Sequence, residues 1–341
     1  MSNQQKQLPF VSVIIPMRNE EKYIGQCLDS LLDQDYSYDC YEILVVDGES
    51  TDDSRRIVEE KARRSGRVRL LTNPHHVTPH GFNIGIQGSR GDLCIIFSAH
   101  ACASSDFISK SVHYIQTTGA ECVGGRVDMV GENALACAVA QAVTSPFGMG
   151  NVHFRSSDQP GFVDTVSYCT YRKEVFERIG LFDETLTRNQ DYELNYRLRK
   201  SGGRIFFTPD IKVTYYSRSS WGKLSKQYFQ YGFWKVRTIK KYPASIKLRH
   251  VVAPTFVGSI LLMALGGFLL QHLWIILGVL LCSYTLGALA FTLRVSKQER
   301  GSLLFLLPIV FATMHLCWGA GFIWGILTLP WPAERVPLSH W

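Results

Sequence analysis

Asp47 is the side chain whose setting most suggests chemistry. It closes an apolar run in YEILVVDGESTDDS, where Gly48 and a Ser/Thr/Asp cluster follow at once. A carboxylate just past a buried strand can accept from the N–H of a nucleotide base, and a following glycine allows close backbone approach. The plainer role for such an acid is to cap the helix predicted over 53–64, a task Ser50, Thr51 or Asp52 would serve equally well. Two more acids, Asp191 and Glu193, open a helical stretch in Asn189-Gln-Asp-Tyr-Glu-Leu194. Acids in a first turn favour the helix dipole whatever else they do. Three histidines crowd Asn73-Pro-His75-His76-Val-Thr-Pro-His80, but their spacing matches no helical or finger-like metal site. That segment reads as a solvated loop near a pocket.

Elements that would position these groups follow from apolar spacing. Val11–Ile15 and Ile43–Val46 are β-branched runs that end abruptly in polar residues. Between them Ile24, Cys27, Leu28, Leu31 and Leu32 share one helical face. Strand, helix, strand in this order predicts a βαβ unit with parallel, adjacent strands. Ligands of such sheets gather beyond the carboxyl ends of the strands, where Asp47, Gly48 and Asp52 fall. Further strands are expected over 93–97 and 204–208.

Charge and hydropathy are unevenly distributed along the 341 residues. The net charge of +7 comes from 218–249, which carries nine Lys or Arg and no acid, whereas the part before 218 holds 23 basic and 27 acidic residues. Nothing in the head therefore marks a nucleic-acid binder. Nine cysteines without CxxC spacing suit reduced, buried thiols in a cytosol-facing protein. The first ten residues lack the apolar core of a signal peptide. Three segments, 251–270, 273–293 and 303–329, each reach the roughly 20 apolar residues that a bilayer crossing needs. Basic flanks at 218–249 and at Arg294, Lys297 and Arg300 put the head and the second loop in the cytosol. The lysines and aromatics of 218–249 interleave as on a helix lying at a headgroup surface.

VSVIIPMRNEE, VVDGESTDDS and FNIGIQGSRGD together resemble the inverting family-2 glycosyltransferases. The resemblance covers about residues 10–240 and is strongest to the membrane-anchored enzymes of exopolysaccharide synthesis, of the succinoglycan-glucosyltransferase type. It implies a GT-A fold: a Rossmann-like α/β architecture, a mostly parallel sheet with flanking helices that binds a nucleoside-diphosphate sugar. It also implies that Pro16, Arg18, Asn19 and Glu20 line the nucleotide pocket, that Asp47 bonds the base, and that Asn83 starts a helix near the donor. Where the family carries Asp-x-Asp, this chain has Ser98-Ala99-His100. Ser98 would bond the ribose and His100 would ligate Mn²⁺ or Mg²⁺, imidazole suiting manganese better. The alternative is that His100 is a hydrogen-bonded pocket residue and the metal is weak or absent. The family's catalytic base maps onto Asp191, with Glu193 second.

Gln230 and Trp234 match two positions of the Gln-x-x-Arg-Trp signature of processive relatives, with Phe233 in place of the arginine. They share a helical face and would bind the acceptor, although Trp234 suits an interfacial anchor equally well. The expected division is a cytosolic catalytic domain over 1–217, basic interfacial helices over 218–250, three transmembrane helices over 251–330 and a short tail. The expected protein is an inner-membrane enzyme moving a sugar from a nucleotide donor, UDP-linked by the family's prevalence, to a polyprenyl-linked or other lipid-linked acceptor. A catalytically silent carrier-binding or scaffold member is the alternative, motivated by the missing Asp-x-Asp. A nucleotidyltransferase is disfavoured, since no Gly-rich basic loop lies near the N-terminus.

Overall fold

The computed structural model describes residues 8–150, 158–217, 220–296 and 303–328. The chain divides into two compact units, residues 1–128 with 153–215 and residues 129–152 with 216–341.

The first unit is built on a sheet. Its strands are β1 (Val11–Met17), β2 (Tyr41–Asp47), β3 (Val68–Thr72), β4 (Leu93–Ile96), β5 (Ala101–Ala103), β6 (Cys122–Val130), β7 (Gly161–Val163), β8 (Ser167–Arg172) and β9 (Ile205–Tyr216). Among the described residues they follow the order β3-β2-β1-β4-β8-β6-β9-β5, with β7 paired to β9. The first four are mutually parallel, Val11 lying opposite Tyr41 and Leu93. β8 turns antiparallel on β4 and β6, and β5 and β7 run antiparallel to β9. The head helices are α1 (Ile24–Leu32), α2 (Ser54–Arg64), α3 (Thr78–Gly88), α4 (Phe107–Thr117), α7 (Lys173–Ile179) and α8 (Gln190–Lys200), α5 and α6 belonging to the second unit.

β1 and β2 are largely apolar because both of their faces are covered, and their buried polar residues Ser12 and Glu42 bond each other at 2.8 Å. Val11, Val13 and Ile15 join Ile24, Cys27, Leu28 and Leu31 in one core. On the opposite face α3 comes so close that a Cβ at Gly85 would lie 2.3 Å from Ile14 Cγ2. Only glycine fits there, so the helix carrying Asn83 lies close against the sheet.

The second unit holds α5 (Ala134–Thr144), α6 (Pro146–Met149), α9 (Trp221–Lys241), α10 (Leu248–Gly266), α11 (His272–Ser296) and α12 (Leu303–Thr328). Among the described residues three helices are long and apolar enough to cross a membrane, over Leu248–Gly266, His272–Val295 and Leu304–Thr328. Glycines let α9 and α12 approach closely: a Cβ at Gly232 would lie 2.1 Å from the Trp318 carbonyl oxygen, and one at Gly321 2.0 Å from that of Phe229. The middle of α9, residues 232–238, is buried, so the basic helix is more than a surface strip. The sequence reading placed 129–150 in the head, yet α5 packs Ala138, Val139, Ala142 and Val143 against Leu307, Val310, Phe311 and Met314. His315 Nε2 meets the Phe147 carbonyl at 2.9 Å and its Nδ1 meets Tyr284 Oη at 2.8 Å. At eleven residues α5 is too short to read as a span, which hid this membership. The tail 331–341 and most of the loop between α11 and α12 lie outside the described residues.

Candidate active site

Three parallel strands end side by side and are tied together beyond their last residues. Gly48 N–H donates to the Met17 carbonyl (2.8 Å) and Asn73 N–H to that of Asp47 (2.7 Å). Asp47 is fully buried. Its carboxylate accepts from the Ser50 hydroxyl (2.6 Å) and backbone N–H (3.2 Å), with Arg55 Nη1 at 3.4 Å. The N-cap position of α2 is Asp53, whose side chain makes no capping bond, and Asp52 accepts from Ser54 N–H at 3.0 Å. Burial opposes the Asp52 charge, but bonds from the Ser54 hydroxyl and from the Ser54 and Glu21 amides outweigh it and hold its carboxyl below the usual range. Asp47 bonds Ser50 ahead of the helix and does not cap α2.

The residues after β1 are more structural than expected. Asn19 adopts φ 55°, and its side-chain oxygen accepts from Thr51 N–H at 2.8 Å while its own N–H donates to Ser50 Oγ at 3.0 Å. It therefore clasps the Asp47 loop. Arg18 is exposed and Pro16 is half-buried. Glu20 faces His100, whose Nδ1 lies 2.9 Å from Glu20 Oε1. The His100 ring also meets Tyr215 edge-on at 5.1 Å. Ser98 is half-buried just before it. Among the described residues no three His, Cys, Asp or Glu side chains gather as a ready metal cage. One histidine backed by a carboxylate fits a different arrangement: a metal-ligating imidazole commonly engages a carboxylate through its other nitrogen, and Mg²⁺-type sites draw most ligands from water and substrate phosphate.

Asp191 and Glu193, two residues apart, have opposite surroundings. Asn189, at φ 62°, turns the chain into α8. Asp191 is exposed. Glu193 is completely buried and forms a two-pronged ion pair with Arg197, at 2.7 and 2.8 Å. Arg197 also donates to the carbonyls of Ile179, Gly180 and Leu181. The second candidate base is thereby committed to holding the preceding loop against α8, which corrects its expected catalytic role. Behind it, burial drives the Tyr171 phenol well above its usual range, and the hydroxyl donates to Asn195 Oδ1 at 2.8 Å.

Two more expectations change. Asn83 is buried and spends its amide on protein: Nδ2 donates to the Phe182 carbonyl (3.0 Å) and Glu184 Oε1 (2.9 Å), and Oδ1 accepts from Phe182 N–H (2.9 Å). Both of its amide hydrogens are thereby committed to protein acceptors. Gln230 and Trp234 are buried in the second unit, so the indole offers an acceptor sugar no free face. Sequence reasoning missed Glu184 and Arg197 as partners, because their contacts are carried by side chains meeting across separate segments.

Residues 12–180 match the family model described as glycosyl transferase family 2. A Methanococcus voltae dolichyl N-acetyl-α-D-glucosaminyl phosphate 3-β-D-2,3-diacetamido-2,3-dideoxy-β-D-glucuronosyltransferase is 33% identical over 327 residues, covering 93% of this chain and 97% of that protein. The chain belongs to glycosyl transferase family 2. This family-2 chain is also 28% identical to the succinoglycan biosynthesis protein ExoA of Rhizobium meliloti, over 91% of this chain and 93% of that protein. Its fold is that of solved GT-A enzymes, among them the mannosyltransferase PcManGT from Pyrobaculum calidifontis, determined with GDP-mannose and Mn²⁺. That structure superposes with a TM-score of 0.59 at 18% identity, covering 96% of this chain and 89% of that one. The family-2 membership makes the protein a glycosyltransferase of the inverting kind, and the expected GT-A α/β head and apolar C-terminal helices are both present.

Proposed function

We propose that this glycosyltransferase takes its sugar from a nucleoside-diphosphate donor, UDP-linked in the first instance, and places it on a lipid-linked acceptor at a membrane surface. The observation that carries this reading is the contrast at the start of α8, where Asp191 stands exposed beside a buried, neutralised Glu193. Inversion at the anomeric carbon needs one base to take the acceptor hydroxyl's proton as the new bond forms on the face opposite the leaving diphosphate. Asp191 is that base. Asp47 accepts from an imide N–H of the donor base, while Arg18, Pro16 and Ser98 line the remainder of the donor pocket. His100, oriented by Glu20, would hold a divalent ion, Mn²⁺ or Mg²⁺, together with the donor's own phosphate oxygens. Such an ion offsets the charge that builds on the diphosphate as it leaves.

The lipid-linked acceptor draws support from the relatives in Methanococcus voltae and Rhizobium meliloti and from three helices of membrane-crossing length. The head lies on the cytosolic side of an inner membrane by the distribution of basic residues. To test the reading, UDP, GDP and dTDP are added to the detergent-purified full chain with and without Mn²⁺ while unfolding is followed. Hydrolysis of UDP-glucose, UDP-N-acetylglucosamine and GDP-mannose is measured in parallel. UDP should raise the unfolding temperature, more so with Mn²⁺. No shift with any nucleotide would refute a donor site, and binding without hydrolysis or transfer would favour a silent carrier-binding protein.

A further inference from the structure

The histidine-rich segment after β3 connects two parts of the site. At its start it touches the loop that carries Asp47. His76, at φ 60°, brings Nδ1 to 3.0 Å from the Gly48 carbonyl and Nε2 to 3.3 Å from Glu49 Oε2. Asn73 stiffens the turn, its side chain bonding Val77 O at 2.9 Å and His75 N–H at 3.1 Å. At its far end the segment becomes α3 and grips the loop leading to Asp191. His80 Nε2 lies 3.3 Å from Glu184 Oε2, its ring packed on His75 at 4.2 Å. Asn83 holds Phe182 by both backbone groups, and Phe82 stacks on Phe182 at 4.9 Å.

The same loop is gripped from the other side by α8, through Arg197 and the carbonyls of residues 179–181. Residues 179–186 are therefore clamped between α3 and the helix whose first turn bears Asp191. A side-chain amide that satisfies both the N–H and the C=O of one residue fixes that residue's position and orientation together, which a single bond cannot do. Two turning points in this chain of contacts, His76 and Asn189, are non-glycine residues at positive φ. Such backbone persists only where surrounding contacts hold it in place.

We propose that residues 73–83 form a strut between the donor-base loop and the Asp191 segment, and that Asn83 and Glu184 position Asp191 without touching the nucleotide. The proposal rests on reading Asp191 as the base. It predicts that occupation of the Asp47 loop steadies the segment 182–191 through the protein itself.

The test uses the full chain in detergent with UDP as the probe. Titration calorimetry reads UDP affinity, hydrogen exchange reads residues 182–191, and turnover is read with whichever nucleotide sugar the donor screen finds hydrolysed. Asn83→Ala should leave the UDP dissociation constant within about twofold while turnover falls tenfold or more. UDP should slow exchange over 182–191 in the unaltered protein and fail to do so in the variant. Glu184→Ala, at a half-exposed position and so safe for folding, should give a smaller loss of the same kind. Glu184→Gln, which keeps an oxygen for Asn83, should restore turnover. If UDP affinity falls in step with turnover, Asn83 is a nucleotide ligand and the proposal is wrong. Unchanged exchange and turnover would overturn it equally. Asp191→Asn is measured alongside: if it retains full turnover the base assignment fails, while the exchange response still decides the strut.

Discussion

The loop after β2 and the first turn of α8 each offer an acidic side chain for ligand chemistry, but they hold it differently. Asp47 is held by Ser50 and Arg55 at the end of a buried strand. Asp191 is exposed, and the immobilising is done by its neighbours: Glu193 with Arg197 on one side, and the 179–186 loop clamped to α3 on the other. A group that recognises a base gains from being fixed and desolvated in advance, whereas a group that takes a proton must meet its acceptor in the open mouth of the site. On the proposed roles, one fold anchors recognition in the strand end and catalysis in a helix start held from outside.

The sharpest way to break this contrast is Asp191→Asn, which should lower turnover by about 10²- to 10⁴-fold with UDP affinity unchanged by calorimetry. Glu193→Gln should act on stability instead, since removing one partner of a buried ion pair costs about 3–5 kcal/mol; a lowered denaturation midpoint in the purified protein would register it. If Glu193→Gln were stable and inactive, the roles of the two acids would have to be exchanged. Asp47→Ala should weaken UDP binding by about 2 kcal/mol, roughly 30-fold, the scale of a lost buried hydrogen bond to a charged group, while leaving stability less affected than Glu193→Gln.

Gly85→Ala should cost about 1–3 kcal/mol by overpacking α3 on Ile14, and unfolding curves would read it. The smallest effect concerns His80. Burial lowers its pKa from the model-compound value of 6.5, opposed by Glu184 and assisted by His75. The unfolded chain therefore takes up the proton first, and the associated stability is present above about pH 6.5 and is lost as pH falls below it. His80→Gln should flatten that part of the stability profile.

Much of this was legible in the sequence. The βαβ start, α1 over its observed Ile24–Leu32 and the three long apolar helices all follow from local periodicity, which records burial directly. The place of Asp47 at the carboxyl end of β2 was legible from the apolar run before it. Asn83, Glu184 and the α5 segment were not, because each takes its role from a partner far away in the chain, and Arg197 was not, because its carbonyl partners lie in the loop before its own helix. Asn83 and Phe182 are 99 apart, and no spacing rule spans that interval. Glu193 shows the limit most clearly: its place in a helix's first turn suits a base, a dipole partner or a buried ion pair alike. The sequence by itself determined the family, the parallel half of the sheet and which residue types line its carboxyl edge, since these depend on short-range pattern. Only the tertiary structure decided which of two neighbouring acids faces solvent and which supports the loop beside it, because that depends on what packs against each helix face.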